Sequence, residues 1–308
     1  MTPHTRIRSH AALAAAVALA CGTPQPDPAG RSEEAQRPDT PQRIVSLIPA
    51  VTEIIFNLGA GDRLVGRTHW GVYPPAAQQI PDVGDGIRPA VEAVIARDPD
   101  LVILYDGETN RSTREQLGRL GVPTLALRHD TVEDLRRNIL RLGEVIGCEA
   151  GAQALADRIN RGLTAASVAT GGRPRVRVYY DVWSQPPITI GRGSFIDSLL
   201  TIAGATNVFG NLAGAAPRVS LEAIIDRDPE RILVAVPPDA LDETPNLASR
   251  HGWDGIPAVS AGRISTLDRD LVNRLGPRVV DAAWAIARRI DPGLPKPPPD
   301  AAEFSCRA

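Results

Sequence analysis

Residues 91–104 read VEAVIARDPDLVIL, and residues 221–234 read LEAIIDRDPERILV. The two stretches lie 130 positions apart and share six identities in fourteen, and most of the other exchanges are conservative. Each has a short helical pattern, an Arg-Asp-Pro turn and then a β-branched run. Proline disfavours helix in the residue before it, so the helices are expected to end near Arg97 and Arg227. Leu101–Leu104 and Arg231–Val236 then read as strands, the first apolar enough to be buried on both faces. One copy is an ordinary α/β unit. Two copies imply two lobes of similar α/β design.

The flanking pattern supports this. Arg43–Ile48 reads as a strand, followed by Pro49 and a helix carrying Val51, Ile54, Ile55 and Leu58. Gly59-Ala60-Gly61 stops that helix, and Leu64-Val65-Gly66 begins another strand. A helix over Arg111–Leu120 leads to a strand at Thr124–Leu127. Thr131 is placed to cap a helix over Val132–Ile146, with Glu133 and Asp134 at its positive end. The second lobe reads as a strand at Arg175–Tyr180, a helix at Ser194–Ala203, a strand at Arg263–Leu267 and a helix at Pro277–Ile290. Alternation of this kind predicts mostly parallel sheets covered by helices. Between the lobes, Glu149–Ala169 places Ala154, Leu155, Ile159, Leu163 and Ala166 at helical spacing. Flexible linkers are rich in Gly, Ser or Pro, and this segment is not. A single long helix is therefore expected to join the lobes and to resist large hinge motion.

The first twenty residues stand outside this body. Arg6 and Arg8 precede the uncharged apolar run Ala11–Ala20, which is too short to span a bilayer but has the length of a signal-peptide core. Ala20 directly precedes Cys21, the arrangement of a bacterial lipoprotein cleavage site, although Ala18 stands where such sites usually carry Leu. An ordinary secretory signal with an incidental cysteine is the alternative. Gly22–Gln42 contains five prolines among polar residues, a composition that does not order itself. The expected organisation is a signal peptide (1–20), a disordered tether (21–42), an N-terminal lobe (43–148), a connecting helix (149–170), a C-terminal lobe (171–292) and a Pro-rich tail (293–308). An exported compartment permits a disulfide between Cys148 and Cys306.

Much chemistry is excluded. The formal net charge of -2 offers nothing to nucleic acid or an anionic membrane surface. There is no dinucleotide or phosphate-binding glycine motif, no Gly-x-Ser-x-Gly elbow and no HExxH. His69, His129 and His251 are the histidines that survive signal cleavage, and none has close metal-ligand spacing, though three could still converge on a bare ion. A two-lobed exported receptor outranks an enzyme. No resident cofactor is expected.

Several segments match a known family. RIVSLIPAVTEIIFNLGAGDRLVG (43–66), HWGVYPPAA (69–77), IPDVGD (80–85) and VEAVIARDPDLVIL resemble the periplasmic substrate-binding proteins of cobalamin and iron-complex ABC importers. PPITIGRGSFIDSLLTIAGATNVFG (186–210), VSLEAIIDRDPERILV (219–234) and RLGPRVVDAAWAIA (274–287) continue the resemblance through the second lobe. It implies two Rossmann-like lobes on one backbone helix, the class III periplasmic binding protein architecture. It also implies a ligand in the cleft, delivered by a monomeric receptor to a membrane permease and its cytoplasmic ATPase.

The resemblance places Trp70 at the cleft edge, where a flat aromatic can lie against a macrocycle; packing under the Tyr73-Pro74-Pro75 turn is the bland alternative. It places Asp270, Asn273 and Arg274 on a ligand-contacting loop, able to bond amide or carboxylate groups at a ligand rim. This chain carries Leu271 and Val272 where cobalamin-binding relatives have aromatics, and lacks another near Gly84-Asp85-Gly86-Ile87. Trp183 is a second-lobe candidate to compensate. Glu92 and Glu222 hold the same place in the two duplicated units. A carboxylate near a helix N-terminus is favourable in itself, and the resemblance adds docking against permease arginines. Cys21 is the lipidation candidate. The ligand expected is a cobalamin-like metal chelate. The alternatives are heme beside His69, a ferric siderophore held by Arg88, Arg192, Arg218 and Arg274, a bare metal, or an exported enzyme on the same lobes.

Overall fold

The computed structural model describes residues 40–297, except for the side chains of Trp183 and Ser184. The expected signal peptide, Cys21, Cys306 and most of the tether and tail lie outside the described residues. The N-terminal lobe runs β1 (Ile44–Ser46), α1 (Pro49–Asn57), β2 (Leu64–Arg67), α2 (Val91–Ile95), β3 (Leu101–Tyr105), α3 (Arg111–Arg119), β4 (Thr124–Leu127) and α4 (Val132–Ile146). The helix α5 (Glu149–Thr170) follows. The C-terminal lobe runs β5 (Val176–Asp181), β6 (Trp183–Ser184), β7 (Pro187–Ile188), α6 (Phe195–Ile202), β8 (Ala205–Asn207), α7 (Leu221–Asp226), β9 (Arg231–Val236), α8 (Pro257–Ser260), β10 (Ile264–Asp268), α9 (Arg269–Val272) and α10 (Val279–Ile290).

Each lobe is built on a four-stranded sheet, in the orders β2-β1-β3-β4 and β10-β9-β5-β8, and every pairing within them is parallel. Read from the other edge, the second order is β8-β5-β9-β10, so the two lobes repeat one topology. β6 and β7 form a separate antiparallel hairpin. The duplicated turns are alike in detail. Asp98 and Asp228 have φ of 49° and 41°, the only positive values for non-glycine residues among those described. The following proline denies both the right-handed helical region, and Asp is among the residues that tolerate the left-handed one. An arginine holds each turn there. Arg43 donates to the carbonyls of Asp98 and Arg97, and Arg177 donates to the carbonyl of Asp228. Asp100 and Glu230 return the favour by accepting the backbone N–H of Arg43 and Arg177 at 3.0 and 2.7 Å.

The helix predicted between the lobes spans 22 residues, and its buried Leu155, Ile159, Leu163 and Ala166 are among those spaced for one face. It packs against α4 on one side and α6 and α10 on the other. One continuous apolar cluster therefore runs from α1 and α4 through α5 to α6 and α10. A core shared in this way makes the lobes a single cooperative body at the α5 side. α4 is closed by a complete capping box: Asp134 N–H donates to Thr131 Oγ1 at 3.1 Å, and the Asp134 carboxylate accepts the Thr131 N–H at 3.0 Å.

Candidate functional site

In parallel sheets, ligands collect beyond the carboxyl ends of the strands, and four of the six exposed large apolar side chains among the described residues, Trp70, Tyr73, Ile87 and Val182, lie in loops that follow such ends. After β2 the chain enters the loop Thr68–Pro75, which leaves Trp70 53% and Tyr73 38% exposed. A neighbouring loop brings Ile87, 59% exposed, to the same rim. The two loops are tied together, because His69 N–H donates to the Gly84 carbonyl at 3.2 Å and Val83 N–H to the Arg67 carbonyl at 2.8 Å. Gly86 is required there: a Cβ would stand 2.2 Å from the Leu47 carbonyl oxygen. Arg67 is buried at the end of β2 and holds the loop from beneath, donating to the carbonyls of Ala77 and Thr68 at 2.8 and 2.9 Å. From the second lobe, Val182 follows β5 and is also exposed.

The lobes meet beneath this rim through a charge cluster. Glu53 on α1 is 1% exposed and accepts two bonds from Arg278 of the second lobe, at 3.0 and 2.8 Å. Arg278 also donates to the Asp270 carbonyl at 3.0 Å, and its guanidinium lies 3.8 Å from the centre of the Tyr73 ring. Burial lowers the Arg278 pKa, but the bonds and charge of Glu53 outweigh it and hold the guanidinium above its ordinary value. Gly276 permits the approach, since a Cβ there would be 3.3 Å from Glu53 Oε2 and 3.5 Å from Ala50 Cβ. Behind them His129, beyond the end of β4, is pushed below its ordinary pKa by burial; the Leu275 backbone, Asp134 and Asp130 act in the opposite sense without offsetting it.

The predicted site residues divide between exposed and engaged. Trp70 stands uncovered, with the His69 ring 4.7 Å away and tilted by 55°. Asn273 is exposed, and its Oδ1 accepts the hydroxyl of Tyr180, a fully buried residue, at 2.8 Å. Asp270 is half-buried and pairs at 3.2 Å with Arg274, whose other nitrogen lies 3.8 Å from Glu53. Arg274 is thus drawn toward two acids, while Arg88, Arg192 and Arg218 are exposed. Trp183 pairs with Ile188 in the hairpin, and its side chain lies outside what is described. No group of three metal-ligating side chains is present among the described residues, His69, His129 and His251 included.

Glu92 and Glu222 are the exposed second residues of α2 and α7. The Glu222 carboxylate is held below its ordinary pKa by its own backbone N–H and the Ser220 hydroxyl, against a small effect of burial. Ser220 caps α7, whereas Ala90 leaves α2 without a side-chain cap. Sequence reasoning missed Ile87, Tyr73 and Glu53. A lone charge in the otherwise uncharged helix α1 (Pro49–Asn57) was the available signal for the last.

Two repeated α/β lobes on a stiff helix, with uncovered apolar side chains at their strand ends, define a protein that binds solutes between lobes. The profile of the periplasmic binding protein family matches residues 44–271, and the chain belongs to that family. It is an extracytoplasmic substrate-binding protein, not an enzyme. It is 29% identical over 258 residues to the vitamin B12-binding protein of Vibrio parahaemolyticus, covering 81% of this chain and 90% of that one. It is 30% identical over 259 residues to an uncharacterized ABC transporter substrate-binding lipoprotein of Bacillus subtilis, covering 82% and 81%. Among solved structures, the periplasmic heme-binding protein HutB of Vibrio cholerae is similar with a TM-score of 0.71 at 25% identity, covering 82% of this chain and 99% of that one. The vitamin B12-binding protein BtuF of Vibrio cholerae gives 0.68 at 25% identity, covering 82% and 97%.

Proposed function

We propose that this protein is the receptor of an ABC importer and that its cargo is a cobalamin-like metal chelate, passed to a permease driven by a cytoplasmic ATPase. The observation that carries the reading is Trp70, exposed on the loop after β2, with Ile87 exposed on the neighbouring loop tied to it. Together they offer a flat apolar surface to a macrocycle, and stacking of this kind adds about 0.5–1.5 kcal/mol beyond burial. Asp270 and Asn273 supply polar groups for the ligand rim, with Arg274 behind them and Trp183 on the facing hairpin. The shared core at α5 limits closure to a small rotation, so the cleft is largely preformed. Relatives named as vitamin B12-binding proteins support the choice of ligand. The mature chain acts as a monomer tethered through a lipidated Cys21, consistent with the lipoprotein naming of the Bacillus relative.

The test is optical. Mature protein mixed with cyanocobalamin and desalted is expected to retain a stoichiometric corrin spectrum. Trp70→Ala is expected to weaken binding about tenfold, a loss of about 1.4 kcal/mol. A blank spectrum with wild-type protein overturns the cobalamin assignment. One observation favours heme as the second reading: His69 lies against the Trp70 ring, and an imidazole there is placed to meet an iron. Hemin binding with a Soret band that shifts in His69→Ala would select it.

Docking is assigned to Glu92 and Glu222. Two exposed acids at equivalent points of two equivalent lobes match a permease of two-fold symmetry, and charge complementarity sets orientation and on-rate. The double variant Glu92→Ala with Glu222→Ala is expected to bind ligand normally while uptake falls. Uptake at the wild-type rate removes the assignment.

A further inference from the structure

At the end of the second sheet away from the cleft, a cavity of about 530 Å³ is lined by Arg231, Ser265, Ala285, Arg288, Arg289 and Pro292. Arg231 is the first residue of β9 and Ser265 the second of β10, so the cavity lies at the amino ends of strands whose carboxyl ends face the ligand cleft. Three arginines line it, and no carboxylate among the described residues lines it or pairs with any of the three. The neighbouring acids are already used. Glu230 accepts the Arg177 N–H, and Asp291 accepts from Arg173 and from Gly293 N–H.

Helix-end electrostatics explain part of this. Arg288 and Arg289 occupy the last turn of α10, where cations are favoured. Arg231 comes from a different element and gains nothing from that dipole. Its Nε is buried with no hydrogen-bond partner, an arrangement that is costly for a polar group and more so for a charged one. Its Nη1 donates to Ser265 Oγ at 3.1 Å, so the serine accepts there and keeps its own O–H to donate. Arginines without a carboxylate partner and a hydroxyl donor around one hollow are the complement of a tetrahedral oxyanion, for which arginine is the preferred bidentate partner. The volume falls in the range of small-molecule sites, ~300–1,000 Å³.

We propose that this cavity is a second binding site, taking a phosphate-class oxyanion on Arg231, Arg288, Arg289 and Ser265. The site is independent of the cleft and of whichever chelate the cleft holds. Its ligand is either a small soluble phosphate compound or a phospholipid headgroup, the two sources sharing one recognition chemistry.

The mature chain, purified without phosphate or sulfate, is titrated calorimetrically with inorganic pyrophosphate and thermally scanned with and without it. A saturable one-site isotherm and a raised Tm are expected. Arg231→Gln with Arg289→Gln is expected to weaken binding at least tenfold and, in anion-free buffer, to raise the Tm by removing like-charge repulsion. In a parallel arm, unlipidated chain is sedimented with phosphatidylglycerol or phosphatidylcholine vesicles. Pyrophosphate binding lost in the variant supports a soluble ligand. Sedimentation with phosphatidylglycerol alone, lost in the variant and without pyrophosphate binding, supports a headgroup. Binding in neither arm, or binding that the double variant retains, overturns the proposal.

Discussion

His129 illustrates how a single residue acquires its role from its surroundings. In the sequence it is one of three histidines that could have met on a metal; in the fold it is packed beside Asn138, whose side-chain nitrogen is 3.1 Å from its Nδ1. Burial holds its pKa below the ordinary 6.5. Over the window between that lowered value and 6.5 the unfolded chain binds a proton that the folded chain does not. Stability therefore falls as pH drops through the window and is unaffected by His129 above it. The expected outcome is a Tm that declines from about pH 7.5 to about pH 5, with a shallower decline in His129→Gln. Parallel profiles for the two proteins would show that the imidazole carries none of it. Trp70 makes the opposite point: a large apolar residue that the fold declines to bury is legible from the sequence only through its neighbours.

At the scale of elements, local rules were sufficient wherever the interaction was local. The capping box of α4 joins residues three apart, Thr131 and Asp134, so the helix start could be read directly. Burial raises the Asp134 pKa, but bonds from the Thr131 hydroxyl, the backbone of Asp130 and Thr131, and Arg137 together hold it below its ordinary value. Its contribution is present at neutral pH and is lost as pH falls through that lowered value. Thr131→Ala is expected to cost about 1 kcal/mol, seen as a fall in Tm of about 2–4 °C. No change would mean that tertiary packing alone sets this end. The Arg-Asp-Pro turns went beyond local reading. The proline predicts where the helices stop, but the left-handed Asp98 and Asp228 depend on Arg43 and Arg177 reaching across more than fifty residues.

Across the whole molecule, the tie between Glu53 and Arg278 spans 225 positions and joins the lobes at the cleft. Its charges are withdrawn from water, so the pair gives less net stability than its geometry suggests, while removing one partner strands the other. Glu53→Gln is expected to destabilise the protein by about 3 kcal/mol, measured by denaturant unfolding. It is also expected to loosen the Tyr73 side of the rim, because Arg278 stacks on that ring. Restoration by a second change, Arg278→Met, would identify the stranded charge as the cause. Unfolding at the wild-type midpoint in Glu53→Gln would show that the contact contributes nothing.

The architecture was present in the one-dimensional pattern. Repeated apolar periodicity, two proline turns and an alanine-rich connector specify two α/β lobes and a stiff joint, because secondary structure and burial follow from residue spacing along the chain. The identical strand order of the lobes extends that duplication. The chemistry of the cleft was only partly present. The burial of Glu53, the approach of Arg274 to it and, away from the cleft, the gathering of Arg231 with Arg288 and Arg289 all rest on contacts between distant segments. Such contacts depend on which elements pack together, and a charged side chain has no preferred partner until the fold supplies one.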